Sequence, residues 1–100
     1  MERGEGPPRF VAVAAYRIEG RPRAEKELAD LPHDAQRRVV RAIDPLAGDP
    51  HPAGCVALKG GEGLLRIRVR VYRVIYLVED DRLVVVVVRI GHRREVYRRR

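Results

Sequence analysis

The sequence predicts an α+β domain in which two helices are followed by a run of strands. Residues 65–71 alternate strictly between apolar residues and arginine, which is typical of a half-buried strand. Residues 24–46 place apolar side chains three or four positions apart, as helices do. Residues 83–90 are apolar on both faces, which favours a central strand. We predict the order β-α-α-β-β-β, a four-stranded antiparallel sheet with a helical hairpin packed on one face.

The domain boundaries follow from composition. The chain has 100 residues, which suits one compact domain. Residues 1–9 combine two glycines and two prolines with mixed charge and predict a flexible arm, so the single domain is assigned to residues 10–100.

The N-terminal half contains the first strand and both helices. Residues 10–18 are apolar, aromatic and β-branched, which predicts a strand. A first helix begins near Arg23 and ends before Pro32, which cannot donate a backbone hydrogen bond. The second helix carries an apolar stripe and should be shortened or kinked by Pro45. The apolar positions of the two helices are Ala24, Leu28, Leu31, Ala35, Val39, Ile43 and Leu46.

The C-terminal half reads as a strand meander after a loop. Residues 47–55, AGDPHPAGC, contain two prolines and two glycines and predict that loop. Strands are predicted at residues 65–71, 72–78 and 83–90, with a hairpin turn at 79–82.

The net charge is +7, and it is unevenly distributed. Residues 64–76 contain four arginines and no acid, and residues 89–100 contain six arginines and one glutamate, so the rest of the chain carries a net charge of −2. Charge concentrated in two segments predicts a basic face rather than a uniform coat. Such a face is expected of a protein with a polyanionic partner.

Other features point to a cytoplasmic protein without a metal site. Cys55 is the only cysteine, so no intramolecular disulfide can form, and no metal-ligand spacing surrounds it. The apolar run at residues 83–88 is too short to cross a bilayer. The N-terminus has acids and prolines where a signal peptide needs a basic start and an apolar stretch.

Three arginines, Arg66, Arg68 and Arg70, share one face of the strand predicted at residues 65–71. If the apolar face meets the helices, these side chains line the open face of the sheet. A solvated strand face would have the same pattern. Hairpins between adjacent strands would bring Arg73 and Arg89 near the same surface.

The C-terminal segment, GHRREVYRRR, carries a second group of candidates. Gly91 lets the backbone leave strand geometry after the central strand. Imidazole in general ionises near neutral pH, so His92 is a candidate for proton transfer. Tyr97 can stack on a base or bond a phosphate, although it can equally cover the sheet edge.

In these segments the chain resembles the RelE/ParE superfamily of toxins from type II toxin–antitoxin pairs. The resemblance covers roughly residues 16–99. It rests on PRAEKELADLP, on DPHPAGCVALKG, on the β-α-α-β-β-β order, and on YRVIY followed by IGHRREVYR, which points to the RelE-like branch.

This resemblance implies an activity and partners. RelE-like members cleave mRNA in the ribosomal A site without a metal or cofactor. The RNA 2′-hydroxyl attacks its own 3′-phosphate, and a cognate, RelB-like antitoxin neutralises the toxin. The alternatives are a ParE-type toxin that poisons DNA gyrase, and a weak toxin that binds operator DNA through its antitoxin.

The resemblance also suggests roles for residues. Arg73, Arg93, Tyr97 and His92 are the predicted catalytic group. The predicted RNA-binding residues are Arg66, Arg68, Arg70, Arg89, Arg94 and Arg98.

Two departures from the family pattern bear on function. Arg66 and Arg68 stand where the family strand presents lysine, and arginine stays protonated, so His92 or Tyr97 must move the proton. The turn at Arg70 and Val71 stands where the family commonly has Gly-Asp, and this pair is unfavourable in a tight turn.

Overall fold

The computed structural model describes residues 15–92 of the chain. The arm predicted at residues 1–9 and the start of the strand predicted at 10–18 lie outside this range. The described elements are β1 (Arg17–Gly20), α1 (Pro22–Ala29), α2 (His33–Ile43), a 3₁₀ turn (Asp44–Ala47), β2 (Val56–Ala57), β3 (Leu65–Val69), β4 (Tyr72–Glu79) and β5 (Val84–His92).

The strands form one sheet in the order β1-β5-β4-β3-β2. The pairs β2–β3, β3–β4 and β4–β5 are antiparallel, whereas β1 runs parallel to β5. The predicted α+β class and helical hairpin are confirmed. The predicted count of four strands and the fully antiparallel pairing are wrong, because the two-residue strand β2 precedes the meander and reverses the direction of each later strand.

Two prolines and one amide define the helical hairpin. Pro22 is the first residue of α1, where its missing N–H leaves no bond unmade, and Pro32 precedes α2. The Gln36 side-chain amide donates to the carbonyl oxygens of Leu28 and Ala29 at 3.1 and 3.2 Å, which ties α2 to the carbonyl end of α1. Neither helix of the described chain is long and apolar enough to cross a membrane.

The end of α2 agrees with the expected effect of Pro45. The α-helix stops at Ile43, and the chain continues as a 3₁₀ turn that contains the proline. Leu46 from this turn is buried in the core, so the apolar stripe continues although the helix type changes.

The main core lies between the helices and one face of the sheet. Ile67 and Val69 of β3 belong to this core, as predicted, and so do residues from every layer of the fold. The buried members are Ala24, Val39, Ile43, Leu46, Ile67, Val69, Val74, Tyr76, Val85, Val87 and Ile90.

Two hairpins and a bulge set the register of the meander. β3 ends at Val69, which pairs with Tyr72, so the predicted strand 65–71 is two residues too long. The predicted turn at 79–82 is found at residues 80–83. In β5, Val87 pairs with Tyr76 but Arg89 pairs with Ile75, which leaves Val88 as the extra residue of a β-bulge.

Tyr76 connects the sheet to the loop at residues 48–55. Its ring is fully buried, and its hydroxyl donates to the Pro50 carbonyl oxygen at 2.7 Å. Burial, with the neighbouring Cys55 thiol, raises the pKa of the Tyr76 hydroxyl, so it remains a donor across the physiological pH range.

We predict that Tyr76→Phe lowers the free energy of unfolding by about 1–2 kcal/mol, because it leaves a buried carbonyl without a donor. Urea unfolding measures the change. Tyr16→Phe is the matched control: its hydroxyl donates to Asp80 at 2.6 Å on the surface, so its loss should matter less. Equal stability of wild type and Tyr76→Phe would show that water replaces the bond.

Candidate functional site

The β3–β4 hairpin places a group of arginines on the sheet face opposite the helices. Strand alternation sends Ile67 and Val69 into the core and Arg66 and Arg68 to the other face. In the pairing of the two strands, Arg68 lies directly opposite Arg73. We call Arg66, Arg68 and Arg73 the arginine cluster. The prediction that period 2 groups arginines on the open face is confirmed for Arg66 and Arg68, whereas Arg70 lies in the turn after the strand. Arg73 shares this face, as expected from the hairpin.

Arg73 is the unusual member of the cluster because it is buried. The residue is 8% exposed, and it is the only charged residue of the described chain among the buried positions. Within residues 15–92, its Nε and Nη1 atoms have no hydrogen-bond partner, and neither does Nε of Arg66. A buried guanidinium without partners is unfavourable, because its donors have lost water and gained nothing in return.

The pairing of Arg68 with Arg73 adds a second unfavourable feature. Directly opposed side chains on one sheet face are about 5 Å apart at Cβ, so two like charges in this position repel. On the other side of β4, Arg73 pairs with Gly91, which contributes no side chain. No described acidic residue forms an ion pair with the cluster. An anion that bonds these guanidinium groups would relieve both the repulsion and the missing hydrogen bonds.

The opposite end of the same sheet is neutralised internally. Arg17 bonds Glu19 at 2.8 Å, and Arg82 bonds Glu79 and lies 4.0 Å from Glu19. The hydrogen bond from Arg17 lowers the pKa of Glu19, and the bond to Glu79 raises the pKa of Arg82, so each pair stays charged. Uncompensated positive charge is therefore concentrated at the β3–β4 hairpin end.

Arg89, predicted to bind RNA, has a partner within the fold. Its Nε atom donates to Glu27 at 3.0 Å, and both side chains are about four-fifths buried. The same carboxylate accepts the Ile90 backbone N–H at 2.8 Å. Because β1 ends opposite Val87, this carboxylate occupies the edge of β5 that β1 leaves unpaired. Glu27 was not predicted from the sequence; its place beside the apolar stripe of α1 was the single available signal.

His92, predicted to be catalytic, lies on the helix side of the sheet. It pairs with Tyr72, and the two rings make an edge contact with centroids 6.3 Å apart. The preceding residue, Gly91, pairs with Arg73, so strand alternation puts His92 on the opposite face of the sheet from Arg73. The described structure thus does not bring His92 together with the arginine cluster.

The other predicted site residues divide between the hairpin tip and the C-terminal segment. Arg70 is exposed at the tip of the β3–β4 hairpin. Four predicted residues lie outside the described range: Arg93, Arg94, Tyr97 and Arg98. Among residues 15–92, no group of three or more His, Cys, Asp or Glu side chains is arranged to hold a metal ion.

Comparison with known proteins identifies the family. Residues 18–97 match the family described as the ParE toxin of the type II toxin–antitoxin system parDE. No match was found among curated protein sequences. Since the family match covers most of the chain, this protein belongs to the ParE toxin family, within the RelE/ParE superfamily. It is a toxin of a type II toxin–antitoxin system.

Solved structures with the same fold support this conclusion. The archaeal RelE–RelB complex from Pyrococcus horikoshii matches with a TM-score of 0.70 and 29% identity, over 81% of this chain and 98% of that one. The intact RelBE toxin–antitoxin complex of E. coli matches with a TM-score of 0.70 and 27% identity, over 78% and 96% of the two chains. The RelBE2 complex of Mycobacterium tuberculosis shares the fold, with a TM-score of 0.71, 24% identity and coverage of 80% and 93%.

The burial of Arg73 leads to a stability prediction. Replacing Arg73 with methionine should raise the free energy of unfolding by about 1–3 kcal/mol, because it removes unpartnered buried donors and keeps most of the side-chain volume. Chemical denaturation of the full-length chain measures this. Arg68→Met is the matched control, since Arg68 is exposed and its change should have a smaller effect. A lower stability of Arg73→Met would mean that the guanidinium is well solvated.

Proposed function

We propose that this toxin is a ribosome-dependent mRNA endonuclease and that the arginine cluster binds the scissile phosphate. The observation that carries the proposal is the buried Arg73 guanidinium, whose Nε and Nη1 atoms have no partner in the described chain. A phosphate oxygen is the acceptor that a guanidinium fork bonds best.

The proposed reaction needs in-line attack and stabilisation of added negative charge. The RNA 2′-oxygen forms a bond to the adjacent phosphorus, and the bond from phosphorus to the 5′-oxygen breaks, which leaves a cyclic phosphate and a 5′-hydroxyl. The phosphorane between these states carries more negative charge than the phosphodiester. In this proposal Arg73 and Arg68, which are opposed across β3 and β4, bond that extra charge.

Proton transfer requires a group outside the arginine cluster. Arginine stays protonated in proteins, so it cannot accept the proton from the 2′-hydroxyl. We assign Tyr97 and Arg93 to the site from their match to the family tail, with Tyr97 orienting the base or the transferred proton and Arg93 holding phosphate. His92 is the second candidate for proton transfer; its contact with Tyr72 on the helix side makes it a weaker one.

The remaining basic residues are assigned to the RNA backbone. Arg66 of the cluster and Arg70 beside it lie on the β3–β4 hairpin, and Arg94 and Arg98 belong to the basic segment that follows β5 in sequence. Arg89 is ion-paired with Glu27, so an RNA contact there would require exchange of that partner.

The second candidate function is poisoning of DNA gyrase without RNA cleavage. It is favoured by the family match, whose description is ParE rather than RelE, and by arginine at both positions where RelE-like enzymes present lysine. Under this alternative, the same cations would contact a protein surface or DNA.

We further propose that a RelB-like antitoxin binds and neutralises this chain. The relatives from P. horikoshii and E. coli were solved as RelE–RelB complexes. The concentrated positive charge suits an acidic segment of such a partner, and the complex is the expected route to operator DNA. Because its proposed target is the ribosome and its proposed inhibitor is an antitoxin, we expect this toxin to act in the cytoplasm.

Each of Arg73→Ala and Arg93→Ala should reduce single-turnover cleavage of ribosome-bound mRNA by about a hundredfold or more, as expected for loss of a donor to the transition state. Cleavage is followed by primer extension on stalled ribosomes. Tyr97→Phe separates ring stacking from hydroxyl chemistry, because it retains the ring.

The control for the cleavage assay is Arg17→Ala, which removes an arginine at the far, neutralised end of the sheet. It should cleave like wild type. Wild-type rates in folded Arg73→Ala would refute the phosphate role. Gyrase inhibition by wild type with mRNA intact would establish the second candidate instead.

Coexpression tests the antitoxin proposal. Expression of this chain alone should arrest growth, whereas coexpression with an antitoxin encoded beside it should restore growth and yield a copurifying complex. Arg73→Ala should be tolerated alone and still copurify, because it removes the toxic activity and leaves most of the surface. Harmless expression of soluble wild-type protein without a partner would contradict the proposal.

A further inference from the structure

The connection between β3 and β4 consists of Arg70 and Val71. Val69 and Tyr72 are the last paired residues, so the chain reverses direction over these two positions. Arg70 has a φ angle of +59°. This is the left-handed region, which glycine, asparagine and aspartate fill in two-residue hairpins.

An arginine in this conformation destabilises the hairpin. The clash between Cβ and the carbonyl oxygen costs about 1–2 kcal/mol relative to the right-handed region. Nothing in the described chain offsets it, because the Arg70 side chain has no hydrogen bond or ion pair within residues 15–92. Glycine would make the same turn without strain, so the turn geometry does not explain why arginine is present.

The second hairpin of the sheet provides a contrast. Leu83 has a φ angle of +55°. Its carbonyl oxygen, however, accepts the Arg17 backbone N–H at 2.8 Å, which starts the pairing of β1 beside β5. The strained residue of that hairpin thus has a bond within the fold, whereas Arg70 has none in the described chain.

The position of Arg70 relates the strain to the site. It directly follows the strand that carries Arg66 and Arg68, and Arg73, three residues later, lies opposite Arg68. The tip is also exposed and partly apolar, since Val71 is 44% exposed. Strained, exposed residues that the fold does not need are concentrated at functional sites.

We propose that Arg70 binds a backbone phosphodiester of single-stranded RNA next to the scissile phosphate, and that its left-handed conformation is kept for this contact. The proposal rests on the proposed function for the identity of the polyanion. It assigns the β3–β4 hairpin tip as a second phosphate subsite, separate from the arginine cluster.

The substitution Arg70→Gly separates strain from function, because the two should change in opposite directions. The thermal midpoint should rise by about 2–6 °C. Affinity for a fluorescein-labelled RNA oligonucleotide, measured by anisotropy without ribosomes, should fall by about fivefold. The slope of log affinity against log salt concentration should decrease in magnitude by about 0.7, the value for one phosphate contact on a single strand.

Three variants of the full-length chain serve as controls. Leu83→Gly should relieve strain at the other hairpin without changing RNA affinity. Arg41→Ala removes an exposed charge at the end of α2 and should leave the salt slope unchanged. Arg70→Lys keeps the charge and should retain most of the affinity.

The proposal is overturned if Arg70→Gly binds RNA with wild-type affinity and salt slope, if Arg41→Ala loses as much, or if wild type binds no RNA. Cleavage of ribosome-bound mRNA is measured in parallel. An Arg70-dependent affinity in a wild-type protein that does not cleave mRNA would refute the proposed function and support the subsite.

Discussion

Strand β5 needs hydrogen-bond partners on both edges, and the arrangement that supplies them determines much of the fold. β4 pairs along one edge, and β1 covers the other edge only as far as Val87. Beyond that point the Glu27 carboxylate accepts the Ile90 N–H and holds Arg89, so α1 completes the edge that β1 leaves open. Buried backbone donors without partners are strongly unfavourable, which makes this carboxylate part of the sheet. It fixes the last strand residues before the basic C-terminal segment.

The direction of β1 shows where sequence patterns fail. A pair of helices returns the chain to the end of the sheet that it left, and each hairpin then reverses direction. With four strands, this rule makes the first and last strands antiparallel, as predicted. Val56 and Ala57 form a fifth strand, which adds one more reversal of chain direction, so β1 and β5 are parallel. Two residues in a loop rich in glycine and proline carry no periodicity, so a strand of this length cannot be recognised from its own sequence.

The face on which a site residue lies could be predicted where apolar and charged residues alternate along a strand, but not where apolar residues follow one another without interruption. The alternation of residues 65–69 assigned Arg66 and Arg68 to the open face correctly, because period 2 has one solution on a strand. In β5, five consecutive valines give no such signal, and the bulge at Val88 is invisible in them. The bulge places Arg89 on the same face as Arg66, opposite Ile75, but its guanidinium is paired with Glu27 instead of being free for a ligand. The burial of Arg73 was also missed, since a charged residue beside other arginines gives no indication that it is enclosed.

Three unfavourable features occur at one end of this sheet: a buried guanidinium without partners, two opposed arginines, and an arginine in the left-handed conformation. The other end, with the same kinds of residues, pairs its charges internally. A general excess of arginine in the chain does not explain these unfavourable features, because it would produce them at both ends of the sheet. A ligand with several anionic groups relieves the first two features at once, and it therefore binds the folded chain in preference to the unfolded one. The same reasoning applies to an acidic antitoxin segment. Substrate and inhibitor would then compete for one set of cations, and neutralising the toxin would also stabilise it.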